Sequence, residues 1–245
     1  VENKLVPEEG HIDILFEDEH FIAIQKPTGL LSHPNPGHNE GSLLNVLLYM
    51  GYQLQGGDDP IRHGLIHRLD RDTTGVLLLS KSTEAYDKFQ QLFKQRVIDK
   101  TYHFPAYGQV RRMEFTRKDP LGRHNTKRNT RVVDPEGRTA ETHFKLIELF
   151  NHKYTLWKAS PKTGRTHQIR VHAQCAGLSV LGDPHYSEGI ATQTLSIKPK
   201  RTLLHCSKLS FNHPLTGQHL EIKAPYPEDF KHSLDELKSL KKSAH

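Results

Sequence analysis

The chain opens on two short β-rich runs, residues 12–16 and 21–25, separated by the polar stretch Glu17-Asp18-Glu19-His20; the pattern predicts a hairpin closing at Lys26-Pro27. A loop rich in Gly, Pro, His and Asn follows from 28 to 41. Ser42 is placed to cap a short apolar helix through Met50, which a loop near Gly56-Gly57 ends. Residues 76–79 form a continuous apolar run directly after Thr73-Thr74-Gly75, the pattern of a buried strand leaving a tight turn. Ser82 or Thr83 then starts a helix whose Ala85, Phe89, Leu92 and Phe93, with the stem of Arg96, fall at helical spacing.

From 100 to 106, Tyr102, Phe104 and Ala106 alternate with Thr101 and His103, which is strand periodicity with the aromatics on one face. Two more strands, 142–149 and 154–159, flank an Asn151-His152 turn. A helix over 166–176, with Ile169, Ala173 and Ala176 on one side, stops at Gly177. A last hairpin pairs 208–211 with 218–223, and the charged segment from 231 onward reads as a short helix or frayed tail. Strands predominate and the helices do not alternate strictly with them. The expectation is an α+β fold with a mixed, mostly antiparallel central sheet and flanking helices and loops, one domain over 1–245 with its core at about 10–230.

A chain of 245 residues buries a substantial core without disulfides, and 35% hydrophobic with 25% charged residues is ordinary for a globular protein. No window approaches the roughly 18 consecutive apolar residues of a membrane helix, so no membrane partner is expected. Cys175 and Cys206 form neither a disulfide framework nor a zinc ribbon; a reducing, cytoplasmic setting is the default, and no signal region opens the chain. Net charge is +6, and nine basic residues against four acidic ones fall between Arg111 and Arg138. That concentration fits a phosphate-backbone partner or, equally, a solvated loop.

Dinucleotide and nucleoside-triphosphate motifs are absent, and no cofactor is implied. His63 and His67 stand four apart but Gly64 occupies the place of a zincin glutamate, so no metal is expected. The densest cluster runs from His67-Arg68-Leu69-Asp70 through Thr73-Thr74-Gly75 into the apolar strand. Asp70 there is either a functional carboxylate near a sheet end or a turn-capping aspartate. A second cluster, Gly164-Arg165-Thr166-His167-Gln168-Ile169-Arg170-Val171-His172, is a functional loop-to-helix junction or simply a basic helix start.

Together these clusters resemble the RluA-type pseudouridine synthases, which isomerise uridine within RNA. Lys26-Pro27 is similar to the first motif of that family, His67–Asp70 with Thr73-Thr74-Gly75 to the catalytic one, and Lys100-Thr101-Tyr102 to the tyrosine motif. The 164–172 cluster, Leu181-Gly182-Asp183, Leu203-Leu204-His205 and His213-Pro214-Leu215-Thr216-Gly217 continue the resemblance in order over most of the chain. It implies the pseudouridine synthase catalytic fold, with Asp70 as the catalytic aspartate and Arg165 as its ion-pair partner. By the same resemblance Tyr102 matches the active-site tyrosine, with a stacking face and a hydroxyl near C5, and Leu204 matches the apolar position that meets the other face of the base. Whether Asp70 attacks C1′, attacks the base or removes a ribose proton stays open at this point.

A stacked uridine must be extruded before its C1′ is reachable, and Arg68 is the candidate to fill the gap. His67 is a further substrate-binding candidate. Lys26, Arg170 and the 111–138 segment are candidates for binding phosphates. Two departures stand out: Cys206 follows His205 where alanine is common, and the accessory RNA-binding domain that many members carry before the catalytic domain is not seen, since the hairpin begins near residue 12.

The implied partner is RNA, with large-subunit ribosomal RNA first and transfer RNA second, acted on by a monomer. Two other classes are a non-catalytic RNA-binding module of the same fold and a metal-dependent phosphoesterase using His63, His67 and Asp70.

Overall fold

The computed structural model describes residues 4–35, 37–59, 62–127, 130–187 and 198–242. In chain order the elements are β1 (Ile14–Glu17), β2 (Phe21–Lys26), α1 (Leu43–Tyr49), β3 (Thr74–Ser80), α2 (Thr83–Gln95), β4 (Asp99–Gly108), β5 (Glu114–Arg117) and β6 (Leu121–Arg123). Then come β7 (Arg131–Val133), β8 (Thr142–Leu149), β9 (Tyr154–Pro161), α3 (Gln168–Cys175), β10 (Leu178–Val180), β11 (His205–Asn212), β12 (His219–Lys223) and α4 (Glu228–Lys242). Where one domain is expected, the chain gathers into two compact units: Val1–Asp99 with Cys206–Pro225, and Lys100–His205 with Tyr226–His245.

In the first unit β1, β2, β3 and β11 lie side by side, with β12 on β11. β2 and β3 run antiparallel with Ala23 opposite Leu78 and Lys26 opposite Gly75. Every residue of β3 is buried, which is why its centre, Val76 to Leu79, is continuously apolar rather than alternating. Gly75 is required at its start: φ is +115°, and a Cβ there would lie 2.1 Å from the Cys206 carbonyl oxygen. Ser82 caps α2 by accepting the Ala85 N–H at 3.2 Å. The helix lays Phe89 against Phe21 and Phe211, with ring centroids 4.9 and 5.5 Å apart. Arg96, expected on that apolar face, is instead the exposed left-handed C-cap with φ 60°.

In the second unit β4, β9, β8 and β5 form an antiparallel order, and β10 pairs with β4. Phe104 and Ala106 bury one face of β4 among Phe144, Trp157, Ile169, Ala173 and Leu204, where α3 packs. The basic stretch is more ordered than a loop. It supplies β5 to the sheet and then the separate antiparallel pair β6–β7, while Arg128 lies outside the described residues. The charged end expected as a short helix or frayed tail is the helix α4, whose Phe230, Leu234 and Leu237 are buried with Tyr107, Tyr154, Leu181 and Leu203.

Beside that cluster, His103 Nδ1 and the Tyr226 hydroxyl share a hydrogen bond at 2.6 Å. Burial, followed by the nearby His205 and Lys158, holds the His103 pKa at about 4. The folded ring is therefore neutral above that pH, whereas the unfolded ring takes a proton from about 6.5 downward. Stability from this site is unaffected above pH 6.5 and falls as pH drops from 6.5 to 4, by about 3 kcal/mol in full. Urea unfolding at pH 7, 5.5 and 4.5 is expected to show that loss in the parent protein. The loss should be smaller by this amount in His103→Gln.

Candidate active site

Asp70 stands half-buried in the loop that leads into β3, and its carbonyl accepts the Thr73 N–H at 3.0 Å to close a turn. The chain on both sides of it is pinned. Ahead of it, Gln90 of α2 donates to the Ile66 carbonyl at 2.7 Å and Ser32 Oγ donates to the Leu69 carbonyl at 3.2 Å. His67 Nε2 accepts the Leu78 N–H of β3 at 3.1 Å, and its ring stacks on Phe93 with centroids 4.9 Å apart. That bond requires a lone pair on Nε2, so the ring proton sits on Nδ1.

Behind Asp70 the fastening is Lys26. Its side chain is completely buried, and Nζ donates to the carbonyls of Pro27 (3.0 Å), Arg71 (2.8 Å) and Thr73 (3.1 Å). The structure thus differs from the expected phosphate contact: the ammonium faces the protein's own backbone, tying the end of β2 to the turn after Asp70. A buried cation without such acceptors would be costly, and three carbonyl dipoles supply the solvation that water would give. Arg68, by contrast, is exposed.

In the second unit Tyr102 is half-buried on β4, opposite Ala159, and packs against the cluster that contains Leu204. The structure therefore brings Tyr102 and Leu204 to one apolar face. Arg165 follows β9; its N–H donates to Gln168 Oε1 at 3.0 Å and its Nε to the Thr139 carbonyl at 3.1 Å. Gln168 is the hub of this loop. Its Oε1 also accepts from Thr163 Oγ1 (2.6 Å), while its Nε2 donates to the Glu141 carbonyl and to Thr142 Oγ1 (both 2.9 Å).

His167, the N-cap of α3, holds the left-handed conformation at φ 58°. Its Nδ1 bonds the Tyr186 hydroxyl at 2.8 Å, and that oxygen accepts the Arg131 N–H of β7 at 2.7 Å. Burial pushes the Tyr186 phenol pKa up, so the hydroxyl keeps its proton.

Arg170 is a second departure from expectation. Its guanidinium is buried, makes a bidentate pair with Asp183 at 2.6 and 2.8 Å, and lies 4.7 Å from the Tyr186 ring centre. A group so enclosed is unsuited to an RNA phosphate; it fixes α3 to the turn after β10. Gln168, Tyr186 and Asp183 as positioning residues carry no signal of their own in residue type; the 164–172 cluster contained the first and the Leu181-Gly182-Asp183 motif the last, while nothing marked Tyr186. His63, His67 and Asp70 form no metal-holding group: no cluster of three His, Cys, Asp or Glu suited to an ion lies among the described residues. No helix among them is long and apolar enough to cross a membrane.

Residues 20–175 match the family model described as RNA pseudouridylate synthase. The chain is 34% identical over 233 residues to an uncharacterised RNA pseudouridine synthase of Bacillus subtilis, YlyB, covering 93% of this chain and 73% of that one. It is 37% identical over 227 residues to the ribosomal large subunit pseudouridine synthase D of Pseudomonas aeruginosa, covering 89% and 69%. The fold is that of human RNA pseudouridylate synthase domain containing 1, with a TM-score of 0.73 at 22% identity over 96% of this chain and 98% of the other. The chain belongs to the RNA pseudouridylate synthase family, in its RluA-type branch. It is accordingly an isomerase that converts uridine to pseudouridine in RNA, on the mixed α+β fold expected from the sequence.

Proposed function

We propose that the substrate is large-subunit ribosomal RNA and that Asp70 is the catalytic carboxylate. The observation that carries the target is the 37% identity with synthase D of Pseudomonas aeruginosa, whose name assigns it to the large ribosomal subunit. The carboxylate rests on the pinned loop around Asp70 in the motif that resembles the family's catalytic one. The reaction breaks N1–C1′, turns the uracil and joins C5 to C1′; C5 gives up a proton and N1 gains one, so no external donor is needed. One carboxylate able to engage the ribose or the base suffices.

In this reading Arg165 keeps the role of active-site arginine that the family resemblance gives it. Tyr102 offers a ring face to the uracil and a hydroxyl for the C5 proton, Leu204 supplies apolar contact, and Arg68 takes the place of the extruded base. The test of the target is primer extension on carbodiimide-treated RNA from cells with and without the protein. Stops confined to large-subunit RNA and lost with the protein are expected; stops lost only from transfer RNA would overturn the assignment.

Lys26→Met isolates positioning from binding. It leaves the buried Thr73 carbonyl without its donor, at about 1–3 kcal/mol where nothing replaces it, and frees the Pro27 and Arg71 carbonyls to solvent. A misplacement of about 1 Å costs on the order of 100-fold in rate. The expected result is a kcat lower by about that factor with KM and the salt dependence of RNA binding unchanged. A phosphate contact at Lys26 would show the reverse.

A further inference from the structure

Beside the catalytic motif, on the side of Arg68, the first unit holds a cavity of about 390 Å³ lined by His33, Asp58, Arg62, Arg68, Tyr86 and Gln90 among others. Its volume is within the range of small-ligand sites. Arg68 is two residues from Asp70, so at most about 7 Å of chain separates their Cα positions. Whatever occupies the cavity while a uridine is being isomerised lies within about one or two nucleotides of that uridine.

The lining matches how proteins hold unstacked RNA bases, between aromatic or imidazole rings and guanidinium planes with hydrogen bonds to the base edge. The ring of Tyr86 rests on Gly56 and Gly57, both at positive φ; a Cβ on Gly56 would lie 2.2 Å from the Tyr86 side chain, so this loop is shaped to the ring. Arg62 is half-exposed at the cavity, paired to Asp59 at 3.2 Å.

The polar edges are biased toward acceptors. Asp58 is an exposed carboxylate. Gln90 holds one amide N–H on the Ile66 carbonyl at 2.7 Å, and its carbonyl oxygen is an acceptor it can offer. His33 donates from Nδ1 to the Pro34 carbonyl at 2.8 Å; burial above all, with Arg62 and Arg68 adding to it, lowers its pKa, so Nε2 carries a lone pair. Adenine, guanine and cytosine each present an exocyclic amino group to such acceptors, whereas uracil presents two carbonyls around a single N–H.

We infer that this cavity is a subsite for one nucleotide flanking the target uridine, and that it selects a base bearing an exocyclic amino group over uracil. The inference deepens the proposed function and rests on it. Arg62 serves the neighbouring phosphates, the rings serve the base plane, and Asp58 reads the edge.

The test uses the full chain on synthetic RNA oligonucleotides that carry a mapped target uridine, with each flanking position replaced in turn by all four bases. At one fixed flanking position, uridine is expected to lower kcat/KM by about tenfold or more relative to the preferred base, the scale of one lost base-edge contact. Asp58→Asn, whose carboxamide also donates, should reduce that ratio to about twofold or less; Arg62→Gln should lower affinity for every oligonucleotide alike. Equal rates with all four bases at every flanking position, or an Asp58→Asn enzyme that keeps the full ratio, would overturn the subsite while pseudouridine still forms. Absence of pseudouridine from every oligonucleotide with the parent enzyme would instead overturn the proposed function, and the subsite with it.

Discussion

Asp70→Asn is expected to abolish pseudouridine formation, with a loss of at least about 10⁴-fold in kcat, because an amide is neither nucleophile nor base. That factor corresponds to about 5.5 kcal/mol of lost transition-state stabilisation. The substitution is nearly isosteric, and what the structure shows holding this loop does not depend on the Asp70 carboxylate alone. Lys26 on three carbonyls, Ser32 on Leu69, Gln90 on Ile66 and His67 on Leu78 all act on neighbouring positions. Fold and RNA affinity should therefore stay within about threefold of the parent, since phosphate contacts elsewhere supply most of the binding. Tritium release from RNA carrying 5-labelled uridine measures the first quantity and filter binding the second. Activity within tenfold of the parent would remove Asp70 from the chemistry. Loss of activity together with RNA binding would recast it as a structural residue.

How much of this was legible in the sequence depended on whether the physics was local. The alternation of Tyr102, Phe104 and Ala106 announces β4 because one face meets an apolar cluster, and Ser82 announces α2 because its oxygen meets an orphan N–H. β5, β6 and β7 were missed because their sequence is dominated by charge and turn residues, and what makes them strands is pairing with β8 and with each other. β10 has three residues, too few for any periodicity. For α4 the signal was present, since Phe230, Leu234 and Leu237 repeat at helical spacing, but the surrounding lysines and glutamates masked a face that is buried.

At the candidate site the residue types were readable and their environment was not. A lysine after a strand and an arginine in a basic helix both suggest phosphate. Charge is written in the sequence, whereas desolvation is a property of the fold. Lys26 and Arg170 are buried, each already neutralised or solvated by protein groups. Gln168 shows the converse: an uncharged residue whose role within the 164–172 cluster its residue type did not reveal holds four hydrogen bonds that shape the Arg165 loop.

That contrast leads to a second large effect. Asp183→Ala should destabilise the protein by about 3–5 kcal/mol, because it leaves the Arg170 guanidinium buried without its counter-charge. The side chains of Arg170 and Asp183 are 8% and 0% exposed, so water does not readily take the place of the carboxylate. Asp183 Oδ1 also accepts the N–H groups of His185 (2.9 Å) and Tyr186 (3.2 Å), which alanine leaves unpaired. Arg170→Met combined with Asp183→Asn removes both charges and keeps an acceptor for those N–H groups. It should recover all but about 1–2 kcal/mol, since replacing a buried ion pair costs far less than breaking it. Urea unfolding of the three proteins checks the order. If Arg170 were a phosphate contact, Asp183→Ala would be nearly neutral in stability, and Arg170→Met would lower the salt slope of RNA binding by about one. A destabilised Asp183→Ala, a recovered double variant and an unchanged salt slope identify Arg170 as the residue that locks α3 and the Tyr186 turn beneath the Arg165 loop.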